Sequence, residues 1–275
     1  MDINNIFLDS DEYFSVNYKK SIIYLHHTAG SHRPDYVVQY WNRDSYENGS
    51  NKRIATSYII GGTSTRDGDS TWDGKIVRCF PDNYWAWHLG VSGANGLFDK
   101  ISIGIELCNY GYLTKSKSGQ FLTYVNSVVP IDQVIELSKP FRGYKYYHKY
   151  TDRQIDSLRS LLIHLGNKYD INLKLGLQEW IKKENLILPN NLSIIEQQRW
   201  LNRNGVVGKN GKTLVEDGIW GENTSFALQS IGKNAFEFNP LTMSGHPGIW
   251  SHSNIRKDKS DLSPQPKLIE MLMSL

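Results

Sequence analysis

The sequence predicts an α/β fold, a central mixed β-sheet flanked by helices, on three observations. Short apolar runs of strand length alternate with helix-like segments through the first two thirds of the chain. The clearest helical pattern, opening at Thr151, follows the last of those runs. Beyond about residue 173 the strand signals stop and helical segments take over, which predicts a small three-helix module inserted late in the fold. The expected division is a main domain over 1–173 and 241–275, interrupted by a helical insertion over 174–240. A chain of 275 residues suits one large domain, or a domain plus a small module.

Each element has a local reason. Ser21 to Leu25 (SIIYL) reads as a buried strand that ends abruptly in HHTAG. Pro34 opens DYVVQYWN as a helix with proline at its start. Ser57 to Gly62 is a second strand and Lys75 to Phe80 a third, joined by the turn-rich STRDGDSTWDGK. Ile101 to Cys108 is a fourth, with Gly104 marking a close backbone approach. Thr151 and Gln154 form a capping-box pattern, after which Ile155, Leu158, Leu162, Leu165 and Tyr169 recur at helical spacing. In the insertion, LQEWIKKENLI is helical, and SIIEQQRWLNRNG and ENTSFALQSIG are short helices flanking a Gly-rich turn. Pro264 to Leu275 reads as a closing helix.

Composition excludes some classes. A net charge of +3 is too small to argue for a nucleic-acid partner. No stretch approaches the ~18 apolar residues of a membrane span, so no membrane insertion is expected. The N-terminal MDINNIFLDSDEYF is acidic and carries no secretory pattern. A substrate outside the cytoplasm would be reached by release or another export route. Cys79 and Cys108 lie in apolar runs and read as reduced core residues; without a CxxC pair there is no Cys-rich zinc site. A monomer is the expectation. The many Tyr and Trp suit sugar stacking or core packing alike.

Three features carry possible chemistry. His26 caps an apolar strand, where a ligand is rigidly held, although a lone His there is often structural. SHSNIRKDKSDLSP places His252, Lys259 and Asp261 in one loop: metal ligands with a positive charge, or a solvated charged loop. Glu106 lies inside ISIGIELC, as a base with a raised pKa or a salt-bridged core acid.

HHTAG, AWHLG, SIGIE and the late His…Lys-x-Asp, in that order, resemble the zinc-dependent N-acetylmuramoyl-L-alanine amidases, whose fold is shared with peptidoglycan recognition proteins. The resemblance covers roughly residues 20–172 and 241–270. It implies a Zn²⁺ ion held by His26, His252 and Asp261, with Glu106 activating the attacking water and Lys259 steadying the oxyanion. His88 would line the cleft beside Trp87 and contact substrate, or be a hydrogen-bonded structural His; His27 would be core or outer shell. Many relatives carry a Tyr where Thr56 stands. Gly245-His246 competes with Ser251-His252 for the second ligand, and spacing to Asp261 favours His252.

Inside the insertion, EDGIWGENTSFALQ resembles the D-G-x-[FWY]-G-x-x-T signature of small peptidoglycan-binding modules. Trp220 in that turn either stacks on the wall or fills the module's core. The implied partner is bacterial peptidoglycan and the implied role endolysin-like lysis of the cell wall. The rivals are a muropeptide-recycling amidase and a non-catalytic recognition protein of the same fold.

Overall fold

The computed structural model describes residues 1–43, 52–92 and 95–275. In chain order the elements are β1 (Ile3–Asn5), β2 (Ile22–His27), α1 (Pro34–Asn42), β3 (Tyr58–Ile60), β4 (Ile76–Arg78), α2 (Leu97–Ile101), β5 (Ser102–Leu107), β6 (Tyr112–Lys115), β7 (Phe121–Leu122), β8 (Val128–Val129), β9 (Val134–Phe141) and β10 (Tyr144–His148). There follow α3 (Asp152–Tyr169), α4 (Leu177–Glu184), α5 (Ile194–Arg203), α6 (Glu222–Ser230), β11 (Gly248–Ser251), α7 (His252–Ile255) and α8 (Pro266–Met273).

The central sheet runs β1-β4-β3-β5-β2-β11 and is mixed: β3 and β4 are antiparallel, the other neighbours parallel. β2 lies between β5 and β11 and is buried along its whole length, as a continuous apolar run demands when both faces are covered. Strand alternation sends Tyr58, Ile60 and Ile76 into one core, with Leu158, Leu162 and Leu165 of α3, and Ile59 and Val77 into another, with Val38 of α1. Helices therefore cover both faces. The predicted capping box at Thr151 is formed, with both reciprocal hydrogen bonds present. Gln154 also donates from Nε2 to the carbonyl of Cys108 at 3.0 Å, tying the start of α3 to the end of β5.

A second, five-stranded sheet, β8-β7-β6-β10-β9, was not foreseen. Its hairpin β9–β10 turns at Arg142-Gly143, both at positive φ, the geometry of a tight two-residue hairpin. From that turn Arg142 reaches α7 and the loop after it, donating to the carbonyls of Ser253 at 3.1 Å and Lys257 at 2.7 Å.

The helical insertion divides in a way the sequence did not show. Leu177, Trp180 and Ile181 of α4 pack in the same buried cluster as the central sheet. The expected boundary at 174 therefore falls before a helix that packs with the main domain. α5 and α6 instead enclose a separate small core of Leu201, Val206, Leu214 and Ala227. The two necks of this segment meet, the amide of Gly232 donating to the carbonyl of Lys183 at 3.1 Å. Gln198 organises its turn. It donates to Asp217 Oδ1, Thr224 Oγ1 and the carbonyl of Ile219, and accepts from the amide of Gly218. Trp220 is 56% exposed, with Ile219 and Val215 exposed beside it, and is not part of that core.

Candidate metal centre and cleft

The site lies at the C-terminal ends of the parallel strands. β2 and β5 pair in register, with His26 opposite Glu106. Partners in register point to one face, so strand pairing alone sets the imidazole beside the carboxylate. β11 flanks β2 on its other edge and ends at Ser251, which delivers His252 to the same end of the sheet. The loop after α7 then returns Asp261.

One ligand-type atom from each of His26, His252 and Asp261 lies within 4.8 Å of the others, and all three residues are buried. Asp261 Oδ2 is 2.9 Å from His252 Nδ1 and 3.4 Å from His26 Nδ1. Ligand atoms each about 2.0 Å from a tetrahedral zinc ion stand about 3.3 Å apart, so this spacing fits one. The proton count fits as well. Leu89 O, 3.1 Å from His252 Nε2, can only accept, so Nε2 carries the hydrogen in the neutral ring. In that form the Nδ1 lone pair faces the Asp261 carboxylate, so a proton or a metal ion has to lie between them.

Burial, then the neighbouring His252, lowers His26 to about 4 against the opposing pull of Asp261. Burial would raise Asp261, but His252 and His26 outweigh it and hold the carboxyl well below its usual range. Glu106 goes the other way. Burial first, and the charge of Asp261 second, push it well above the carboxylate range, with Lys259 opposing. Its Oε2 is buried with no hydrogen-bond partner among the described residues. Lys259 is half-buried, and its charge is felt by both Glu106 and His26.

Glu106 opens onto a cleft of about 500 Å³ that is also lined by Tyr36, Tyr40 and Trp41 of α1 and by Tyr124. Tyr40 is 70% and Tyr124 53% exposed. Sequence reading missed these aromatics. The spacing of Tyr36 and Tyr40, one helical turn apart, was the available signal. Tyr124 comes from the unforeseen second sheet and donates to the carbonyl of Ala29 at 2.8 Å.

The remaining expected site residues lie elsewhere. His88 sits behind His26, its Nδ1 3.0 Å from His26 Nε2 and its Nε2 2.9 Å from Ser102 Oγ. Both ring nitrogens are thus engaged by the protein. Burial, then His26 and His252, hold His88 well below its usual value. Trp87 packs edge-on against Trp85 and Phe14. His27 turns away from His26 and pairs with Tyr150 Oη at 3.2 Å. His246 is held by Glu179 at 3.2 Å, outside the cluster, so the geometry brings His252 and not His246 to Asp261. Thr56 packs its methyl toward Gly104 and gives its hydroxyl hydrogen to the carbonyl of Tyr58. Trp220 lies in the helical segment, in the turn before α6.

Residues 17–185 match the sequence profile of the Amidase_2 family, described as N-acetylmuramoyl-L-alanine amidase. No curated protein matches the chain. Among solved structures, PlyL is similar at 15% identity, covering 63% of this chain and 78% of its own, with a TM-score of 0.38. A mutant endolysin from Bacillus subtilis shares 16% identity over 62% of this chain and 79% of its own, with a TM-score of 0.36. The amidase LysC from Clostridium intestinale URNW shares 18% over 62% and 78%, with a TM-score of 0.35.

Proposed function

The chain belongs to the Amidase_2 family of N-acetylmuramoyl-L-alanine amidases, and on that premise we propose that it is a zinc-dependent hydrolase of the amide between N-acetylmuramic acid and L-alanine in peptidoglycan. The observation that carries the zinc assignment is the convergence of His26, His252 and Asp261 at one buried point. Two imidazoles and one carboxylate are a usual donor set of a hydrolytic zinc site. A zinc ion held there supplies Lewis acidity, polarising the scissile carbonyl and acidifying a water.

The chain's own groups do the rest. Glu106, beside His26 in the strand register, takes the proton of the attacking water. Once protonated, the same carboxyl passes that proton on to the leaving nitrogen of L-alanine. The ammonium of Lys259 balances the negative charge that builds on the carbonyl oxygen. The aromatics of α1 and Tyr124 offer flat faces to the substrate beside the reacting bond. The segment from about 186 to 231, with its own core and its exposed Trp220, is proposed as an anchor on polymeric wall, in an endolysin-like role.

Mass spectrometry of digested sacculi tests the bond assignment. The expected products are intact glycan strands and stem peptides with a free L-alanine amine. Cleavage of glycosidic bonds or cross-links with that amide intact would overturn it. A chelator should abolish the cleavage and zinc restore it; cleavage that survives thorough metal removal would overturn the zinc assignment.

A further inference from the structure

The hydrogen bonds behind His26 leave little freedom for its protons. Ser102 Oγ is 2.6 Å from the carbonyl of Phe98, which can only accept, so the hydroxyl hydrogen is committed there. His88 Nε2, 2.9 Å from the same Oγ, must then donate to it. In a neutral His88 this leaves Nδ1 as an acceptor. His26 Nε2, 3.0 Å away, must donate to that Nδ1. The hydrogen of His26 is thereby fixed on Nε2, and the lone pair falls on Nδ1, the atom that faces Asp261.

We propose that His88 and Ser102 are positioning residues that lock His26 in the tautomer able to bind the metal, while Leu89 O does the same for His252. This rests on the zinc reading above and assigns His88 a role different from contacting substrate. The arrangement is built, not incidental. The buried Asp99 carboxylate accepts the amides of both His88 and Leu89, at 2.8 and 3.0 Å, so one group fixes the side chain behind His26 and the carbonyl behind His252. Gly104 makes room for it: a Cβ there would fall 3.0 Å from His88 Nδ1 and 2.8 Å from Thr56 Cγ2. Partners that orient metal-ligating histidines in this way set both the tautomer and the basicity of the ligand.

Two measurements on the full chain test this. Nitrogen-15 spectra of the histidine side chains in the metal-free protein, assigned by the signals lost in His26→Gln, should show His26 protonated at Nε2 and bare at Nδ1. The opposite tautomer would overturn the relay. Zinc affinity, read by competition with a chelator, should weaken roughly 10–100-fold in Ser102→Ala and His88→Ala. His88→Gln should recover much of the loss, because its carboxamide can accept from His26 and donate to Ser102. Unchanged affinity in a folded His88→Ala variant would overturn the positioning role. Failure of the wild type to bind zinc would instead overturn the metal reading, and the tautomers of the metal-free protein would still judge the relay.

Discussion

The strand ends around His26 and the helical segment around Trp220 use their rings in opposite ways. At the first, His26, His88 and His252 are enclosed, and each ring nitrogen faces a named atom. At the second, an indole stands more than half exposed on a turn held together by Gln198. The scaffolds differ to match. His26 and His252 are placed by a buried parallel strand triplet, β5-β2-β11, whereas the segment rests on a small core around Leu201, Val206, Leu214 and Ala227. A reacting bond needs atoms fixed to a fraction of an ångström. Adhesion to a polymer needs only a surface that stays presented, since a tethered second contact acts by raising local concentration.

The largest break in that comparison is expected at Glu106. Glu106→Gln keeps the shape and removes the base, so turnover should drop roughly 10²–10⁴-fold while zinc stays bound, as metal analysis of the purified variant would show. Near-normal turnover would make Glu106 a structural acid.

Leu201→Ala probes the other side. Emptying that buried site should cost about 2–5 kcal/mol, enough to unfold so small a core. Sacculus pull-down should then fail while cleavage of soluble muropeptides continues. Equal loss of both would mean that the two regions share their stability.

Trp220→Ala should do least. An exposed side chain away from any core changes stability by about 0.5 kcal/mol or less, so thermal melting should hold while binding to sacculi weakens. Full sacculus binding by this variant would remove the ring from the proposed anchor.

Legibility in the sequence followed the same divide. β2, β3, β4, β5 and α3 were readable because their apolar runs are bounded by turn-rich or polar segments and α3 opens with a capping box. β11 was not, although it delivers His252; in GIWS only Ile249 and Trp250 are large apolar residues, and they stand between Pro247-Gly248 and Ser251 with no apolar run around them. The second sheet escaped because β7 and β8 have two residues each and β9, its longest strand, buries only Leu137 and Phe141. The Arg142-Gly143 turn between alternating residues was its one clear signal. Ligand candidates could be named from spacing and resemblance. The relay could not, because Ser102 and Leu89 act through a hydroxyl and a backbone carbonyl, neither of which marks a sequence. α4 misled because its amphipathic pattern says that it packs, not on what.

The meeting of the necks at Lys183 and Gly232 has a consequence for chain entropy. β11 must find β2 across more than half the chain, and the helical segment lies in the path. Closing a flexible loop grows dearer only with the logarithm of its length, about 0.6 kcal/mol for each doubling. Once the segment has folded, its ends lie one hydrogen bond apart, so the path from α4 to β11 shortens to the residues outside it. An insert of this kind adds mass to its host at little topological expense. By the same reasoning, another folded unit with adjoining ends could take its place and leave the histidine cluster to assemble as before.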